Sequence, residues 1–240
     1  MEAILRLKSG FIILTILGAL SAVRAEPSQI IVLRHGEKTN GYALCEVGQD
    51  RSLALRAQFL GKGAERSIFT QPPAAFFATT LHTLELVAPT ADSWGLPVTT
   101  FAVVPLKGND AEAETNWITR QTQRAATEVM NNPRWKGQTV VMTWEHKHIA
   151  NEKLAKDHPN ELVELRQLLK LDQLPVAYLD QVPKSWSGSN YNFFWVIDYN
   201  SAGQPITFKT IRQDFSGQFA KVPNNAWNAP EGLPANSGCK

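Results

Sequence analysis

The chain has 240 residues, of which 24 are Lys or Arg and 22 Asp or Glu, and 43% are apolar. That apolar content excludes an intrinsically disordered segment, and a formal charge of +2 excludes binding nucleic acid through the net field of the molecule. A chain of this length buries a sizeable core, in one α/β domain or in two small ones.

Arg6 and Lys8 precede the apolar run Phe11–Leu20, and Ser21-Ala22-Val23-Arg24-Ala25 leads into Glu26-Pro27. A short basic segment, about ten apolar residues and a small-residue stretch are the parts of a secretory signal peptide, so residues 1–25 are expected to be removed after Ala25. The run is well short of the roughly 20 residues that span a bilayer, which disfavours a retained anchor. No Cys stands near the cleavage site to carry a lipid. Without Arg6, Lys8, Arg24 and Glu2 the chain has 21 basic and 21 acidic residues, so the positive excess belongs to the export signal. The expected product is a single domain, residues 26–240, that is periplasmic or secreted and has no stable membrane anchor. In an oxidising compartment Cys45 and Cys239 have two readings, a disulfide or two free thiols. A bridge would close nearly the whole mature chain and stabilise it by on the order of 4–5 kcal/mol.

Gln29-Ile30-Ile31-Val32-Leu33 is a continuous apolar run, the pattern of a strand buried on both faces, and it ends in Arg34-His35-Gly36-Glu37. Asp50 is a plausible N-cap for a helix that carries Leu53, Ala57 and Leu60 on one stripe. Ala74–Thr80 reads as a second strand. Thr83–Trp94 follows as a helix, with Pro89 awkward in its interior. Val98–Val104 is a third strand that leads into the polar loop Lys107-Gly108-Asn109-Asp110-Ala111-Glu112. Behind Asn116 a helix is expected with Ile118, Thr122, Ala125 and Val129 facing the core. Gln138–Trp144 is a fourth buried strand, ending at Glu145-His146-Lys147-His148. Helices are predicted near Ile149–Ala155 and Asn160–Leu171, a β-hairpin over Phe193–Tyr199 and Ile206–Phe215, and an irregular tail from Ser216.

Strands alternating with helices predict an α/β fold of three layers, a mostly parallel sheet with helices on both faces. In such folds ligands bind beyond the carboxyl ends of the strands. Arg34-His35, His82, Asp110 with Glu112, and Glu145-His146 all fall at those ends. A neutral imidazole is a nucleophile near pH 7, and Arg presents fixed donors to phosphate oxygens. The set therefore suits attack of His35 on phosphorus, with positive charge around the equatorial oxygens and a carboxylate to protonate the leaving oxygen.

Leu33-Arg34-His35-Gly36-Glu37 resembles the signature of the histidine phosphatase superfamily, in the branch that includes phosphoglycerate mutases. The resemblance extends to Gly48-Gln49-Asp50-Arg51-Ser52-Leu53 and to Val140-Val141-Met142-Thr143-Trp144-Glu145-His146, and so spans about Gln29 to Leu154. It implies hydrolysis of a small phosphomonoester through a phosphohistidine on His35, with His146 as second catalytic histidine, Arg34 binding phosphate, and no metal or cofactor. One position departs from the family. In Thr80-Leu81-His82-Thr83-Leu84-Glu85, His82 stands where the family carries a second phosphate-binding Arg. A histidine still donates to phosphate, but a non-catalytic exported binder of phosphate esters is the alternative. The acid is expected in the loop after the third strand, where Asp110, Glu112 and Glu114 qualify by position and Asp110 is chosen. Glu37 reads as a structural hydrogen-bonding partner. His148 forms a His-x-His pair with His146, yet with no third ligand near it in sequence it reads as a supporting or surface group. His158 reads as a solvated loop residue. Trp144 and Trp186 are candidates to line a substrate pocket. The loops Lys107–Asn116 and Val182–Asn192 are where specificity is expected to reside.

Overall fold

The computed structural model describes residues 26–105 and 110–239; residues 1–25, where the export signal is expected, part of the polar loop after the third strand, and Lys240 lie outside them. Six strands form one sheet in the order β3-β2-β4-β1-β5-β6. They are β1 (Gln29–Arg34), β2 (Pro73–Thr80), β3 (Val98–Val103), β4 (Thr139–Trp144), β5 (Phe193–Tyr199) and β6 (Pro205–Arg212). β3, β2, β4 and β1 run parallel, and β5 pairs antiparallel with both β1 and β6. The sheet is therefore mostly parallel, with the expected hairpin added at one side.

β1 and β4 are buried along their whole length, as continuous apolar runs require. Alternation then divides their side chains between two cores. Ile30, Val32, Phe77, Met142 and Trp144 pack against Ala125 and Val129 of α3 (Ala111–Asn131) on one face. Ile31, Leu33, Phe76 and Val141 pack against Leu55 of α1 (Glu46–Leu55) and Leu86 of α2 (Leu81–Ser93) on the other. Helices thus cover both faces. Among the described residues no helix is long and apolar enough to cross a membrane.

Several boundaries differ from expectation for local reasons. α1 begins at Glu46 behind Cys45, not behind Asp50, and runs on into a wider π-helical turn over Arg56–Leu60. Its buried face is accordingly rotated: Leu53 is 47% exposed, while Arg51 is buried with both a guanidinium nitrogen pair and Glu37 in bidentate contact at 2.6 and 2.9 Å. α2 starts at a Thr80 capping box and accommodates Pro89 in its interior. α3 begins at Ala111, several residues before Asn116, because Asp110 caps it, and Ile118, Thr122, Ala125 and Val129 do face the core. The two helices expected between 149 and 171 are short pieces, α4 (His146–Ile149), α5 (Glu152–Asp157) and α6 (Leu165–Leu168), followed by α7 (Val176–Leu179). Asn151 starts α5 by accepting from the Leu154 N–H, and Pro159 follows soon after its end. Leu162 is exposed there, whereas Leu165 and Leu169 are buried.

The tail after β6 is irregular apart from one 3₁₀ turn at Gly217–Phe219. It is nonetheless tied down, since Arg51 donates to the Pro223 carbonyl and Cys239 forms a disulfide with Cys45.

Candidate active site

β1 and β4 are neighbouring parallel strands with Arg34 opposite Trp144, so the residues that follow each emerge side by side. The His35 N–H donates to the Trp144 carbonyl at 3.0 Å, which fixes the first of them at the strand mouth. Next in the sheet, β2 ends at Thr80 and delivers His82 in the first turn of α2. Topology alone therefore brings together Arg34, His35, His82 and His146, which lie up to 112 positions apart in the chain, with rings of His35 and His82 5.0 Å apart and those of His35 and His146 5.6 Å apart.

The protons on these rings follow from their partners. His35 Nδ1 lies 2.8 Å from the Gly36 carbonyl oxygen, which only accepts, so Nδ1 carries the proton and Nε2 keeps its lone pair. That lone pair accepts from Arg34 Nη2 at 3.1 Å. It also faces His146 Nδ1 at 3.4 Å and Glu145 Oε2 at 3.5 Å. Burial is the main reason the His35 imidazole is held well below its ordinary pKa, and the Arg34 charge adds to it, so the ring is neutral. His146 is lowered to about 3 in the same way, chiefly by burial and then by Arg34.

Arg34 is positioned independently of His35. Its Nη1 donates to the carbonyls of Ser187, Gly188 and Asn190 at 3.2, 2.7 and 3.3 Å, and the guanidinium lies 3.8 Å over the Tyr191 ring. The loop expected to confer specificity thus acts through its backbone, as the cradle of the arginine. Glu85, three residues after His82, accepts from the Leu44 N–H at 2.7 Å and braces the loop after β1.

Two expectations change. Asp110 is exposed and its carboxylate accepts from the Ala113 N–H at 2.9 Å, so it is the N-cap of α3 and is not assembled with the histidines. Glu114, one turn into the helix it starts, lines a cavity of about 260 Å³ with Lys38, Ile118, Glu145, His146 and His148. Trp144 and Trp186 are core residues: their indole N–H groups donate to Thr122 Oγ1 and to the Asn190 carbonyl, both at 2.8 Å. His148 is buried, turned toward Thr119 Oγ1 at 3.2 Å. A larger and more open groove of about 850 Å³ between β3 and α3 has no histidine in its lining.

The residue sequence reasoning missed is Glu145. Its Oε1 accepts from His82 Nε2 at 2.5 Å and from Thr80 Oγ1 at 3.2 Å, and its Oε2 faces His35. His82 Nδ1 faces a second acceptor, the Gly41 carbonyl at 3.1 Å, so both nitrogens of this ring already have partners. Burial by itself would raise the Glu145 carboxyl, but the hydrogen bond from His82 and the positive charge around the site outweigh it and hold the group well below the usual carboxylate range. A carboxylate therefore sits between the two imidazoles where the resemblance would seat a phosphoryl oxygen. Only its place before His146 marked it in the sequence.

No family model matches the chain, and no curated protein does. Among solved structures it is similar to one titled "Mycobacterial hydrolase 1", at 13% identity and a TM-score of 0.36, over 85% of this chain and 99% of that one. A likeness of that degree carries no argument about activity.

Proposed function

We propose that the mature, exported chain is a phosphomonoesterase of the histidine phosphatase superfamily, acting without a metal through a phosphohistidine on His35. The observation that carries the reading is the His35 ring, held by the Gly36 carbonyl so that the Nε2 lone pair points into a cluster of Arg34, His82 and His146. In the reading, that lone pair attacks phosphorus as the ester P–O bond breaks. The leaving oxygen takes its proton from Glu114, which lines the His146 cavity and, unlike Glu145 there, is not bonded to His82, in place of Asp110. Water then attacks the phosphohistidine, giving its proton back to Glu114 and releasing phosphate and neutral His35. Arg34 offers donors to the equatorial oxygens, and His82 joins it when a phosphoryl oxygen replaces Glu145 Oε1 on His82 Nε2 as well as Oε2 beside His35.

Residues 26–240 are expected to hydrolyse 4-nitrophenyl phosphate without added metal, and to yield an acid-labile phosphohistidine on rapid quenching. His35→Ala should lower kcat/KM by at least about 1000-fold, the scale on which loss of a nucleophile acts. Full activity in that variant would reject the mechanism. His82 in place of a second phosphate-binding Arg, tied to Glu145 and facing the Gly41 carbonyl, favours a second reading, a non-catalytic binder of phosphate esters. Saturable vanadate binding without turnover would select it.

A further inference from the structure

Two imidazoles and a carboxylate meet at His35 in a geometry that phosphoryl transfer does not require. His35 Nε2 stands 3.4 Å from His146 Nδ1 and 3.5 Å from Glu145 Oε2, and the three donor atoms all lie within 4.8 Å of one another. Ligands held about 2.0–2.2 Å from a tetrahedral zinc ion are separated by about 3.3–3.6 Å. Two of the three separations already match. We propose that His35 Nε2, His146 Nδ1 and Glu145 Oε2 form a binding site for a divalent transition-metal ion of the Zn²⁺ class, with its fourth position open to the cavity beside Lys38 and Glu114.

The surroundings support the assignment. Glu145 is anchored through Oε1 by His82 and Thr80, which leaves Oε2 for the ion, and the His35 tautomer is fixed by the Gly36 carbonyl. Such partners behind the ligands are what orient a metal site. The opposing feature is Arg34, whose Nη2 hydrogen bond to His35 must be given up. The guanidinium keeps its three carbonyl acceptors and its seat on Tyr191, so it need not leave, and an anion in the open position would offset its charge. Two imidazoles with one carboxylate suit zinc better than magnesium or calcium. Metal binding here takes the lone pair needed for attack on phosphorus, so zinc is an inhibitor of the activity proposed above.

The proposal rests on donor geometry and is tested separately from that activity. Chelator-treated residues 26–240 are titrated with Zn²⁺ at pH 7.5 against a fluorescent zinc indicator, and Co²⁺ is added for its visible absorption. One saturable site below about 10 µM is expected, with a four-coordinate Co²⁺ spectrum. Glu145→Gln and His146→Ala should each weaken it by about 100-fold or more, beyond the 10–100-fold cost of losing a supporting hydrogen bond, while His158→Ala leaves it unchanged. Absence of saturable binding, or binding that both variants retain while their circular dichroism shows them folded, overturns the site. Hydrolysis of 4-nitrophenyl phosphate by the same metal-free sample decides the other reading on its own.

Discussion

His146 and His148 are kept from taking up protons by burial, which lowers them to about 3 and about 4 from an ordinary value of 6.5. In the unfolded chain both titrate near 6.5, so between about pH 6.5 and pH 4 the unfolded state binds more protons than the folded one. Stability is then fully present above pH 7 and falls as the pH is lowered through that window. With His146 half-buried and partly screened, the loss from these two rings between pH 7 and pH 5 is on the order of 2–4 kcal/mol, and buried His35 adds to it with the same sign. Urea midpoints measured at the two pH values check this, and equal midpoints would show that neither ring is as excluded from solvent as the structure has it. At this scale the sequence is informative about residues whose role is local. Arg34 and His35 are legible because a buried apolar strand stops at them. Glu37 is legible as a structural group, but its partner Arg51 looks like a solvent-facing helical residue until the two are seen buried together at 2.6 Å. Glu145 is illegible because its meaning depends on His82, 63 positions away.

The elements follow the same division. β1, β2 and β4 are read from unbroken apolar runs, since only a strand covered on both faces tolerates them. The helix starts are harder, because one residue type serves two purposes. Asp110 followed by Glu112 and Glu114 is a helix N-terminus pattern, with a capping oxygen and negative charge in the first turn, as much as it is a loop of candidate acids. The start of α1 depends on Gly48, whose backbone lies against the Glu37 carbonyl: a Cβ there would sit 2.1 Å from that oxygen. The same carbonyl accepts from the Cys45 N–H at 3.0 Å, so the loop cannot retreat without releasing the helix it begins. Gly48→Ala is therefore expected to destabilise the protein by about 2–3 kcal/mol, the upper part of the range for overpacking. Chemical denaturation measures it, and a change under about 0.5 kcal/mol would mean that the Glu37 loop moves freely.

At the scale of the whole molecule the irregular tail is the part that composition describes least well. Its Gly, Pro and Asn content predicts no regular structure, and none forms beyond one turn, yet the tail is bonded to the segment that leads into β5. Asn192 donates to Asn224 Oδ1 and to the Asn225 carbonyl, Asn190 donates to the Ala226 carbonyl, and Trp227 packs on Trp186 and Phe193 with ring centres 5.4 and 5.0 Å apart. The Cys45–Cys239 disulfide then returns the end of the tail to the start of α1, 194 positions back in sequence. Such a bridge acts mostly on the unfolded chain, which loses the freedom of a very long loop, and only weakly on the site, since neither sulfur touches the histidines. Replacing both cysteines by Ser is accordingly expected to remove on the order of 4–5 kcal/mol of unfolding free energy, as is full reduction of the native protein. Zinc affinity and the rate of aryl phosphate hydrolysis at low temperature should stay unchanged, because Arg34, His35 and His146 are held by β1, β4 and the 187–190 carbonyls. Urea unfolding with and without reductant, followed by near-ultraviolet circular dichroism of the Trp cluster, measures the difference. A loss below about 1 kcal/mol would mean that the unfolded chain is already compact enough for the bridge to constrain little, and a collapse of both site readouts would place the tail within the active-site scaffold.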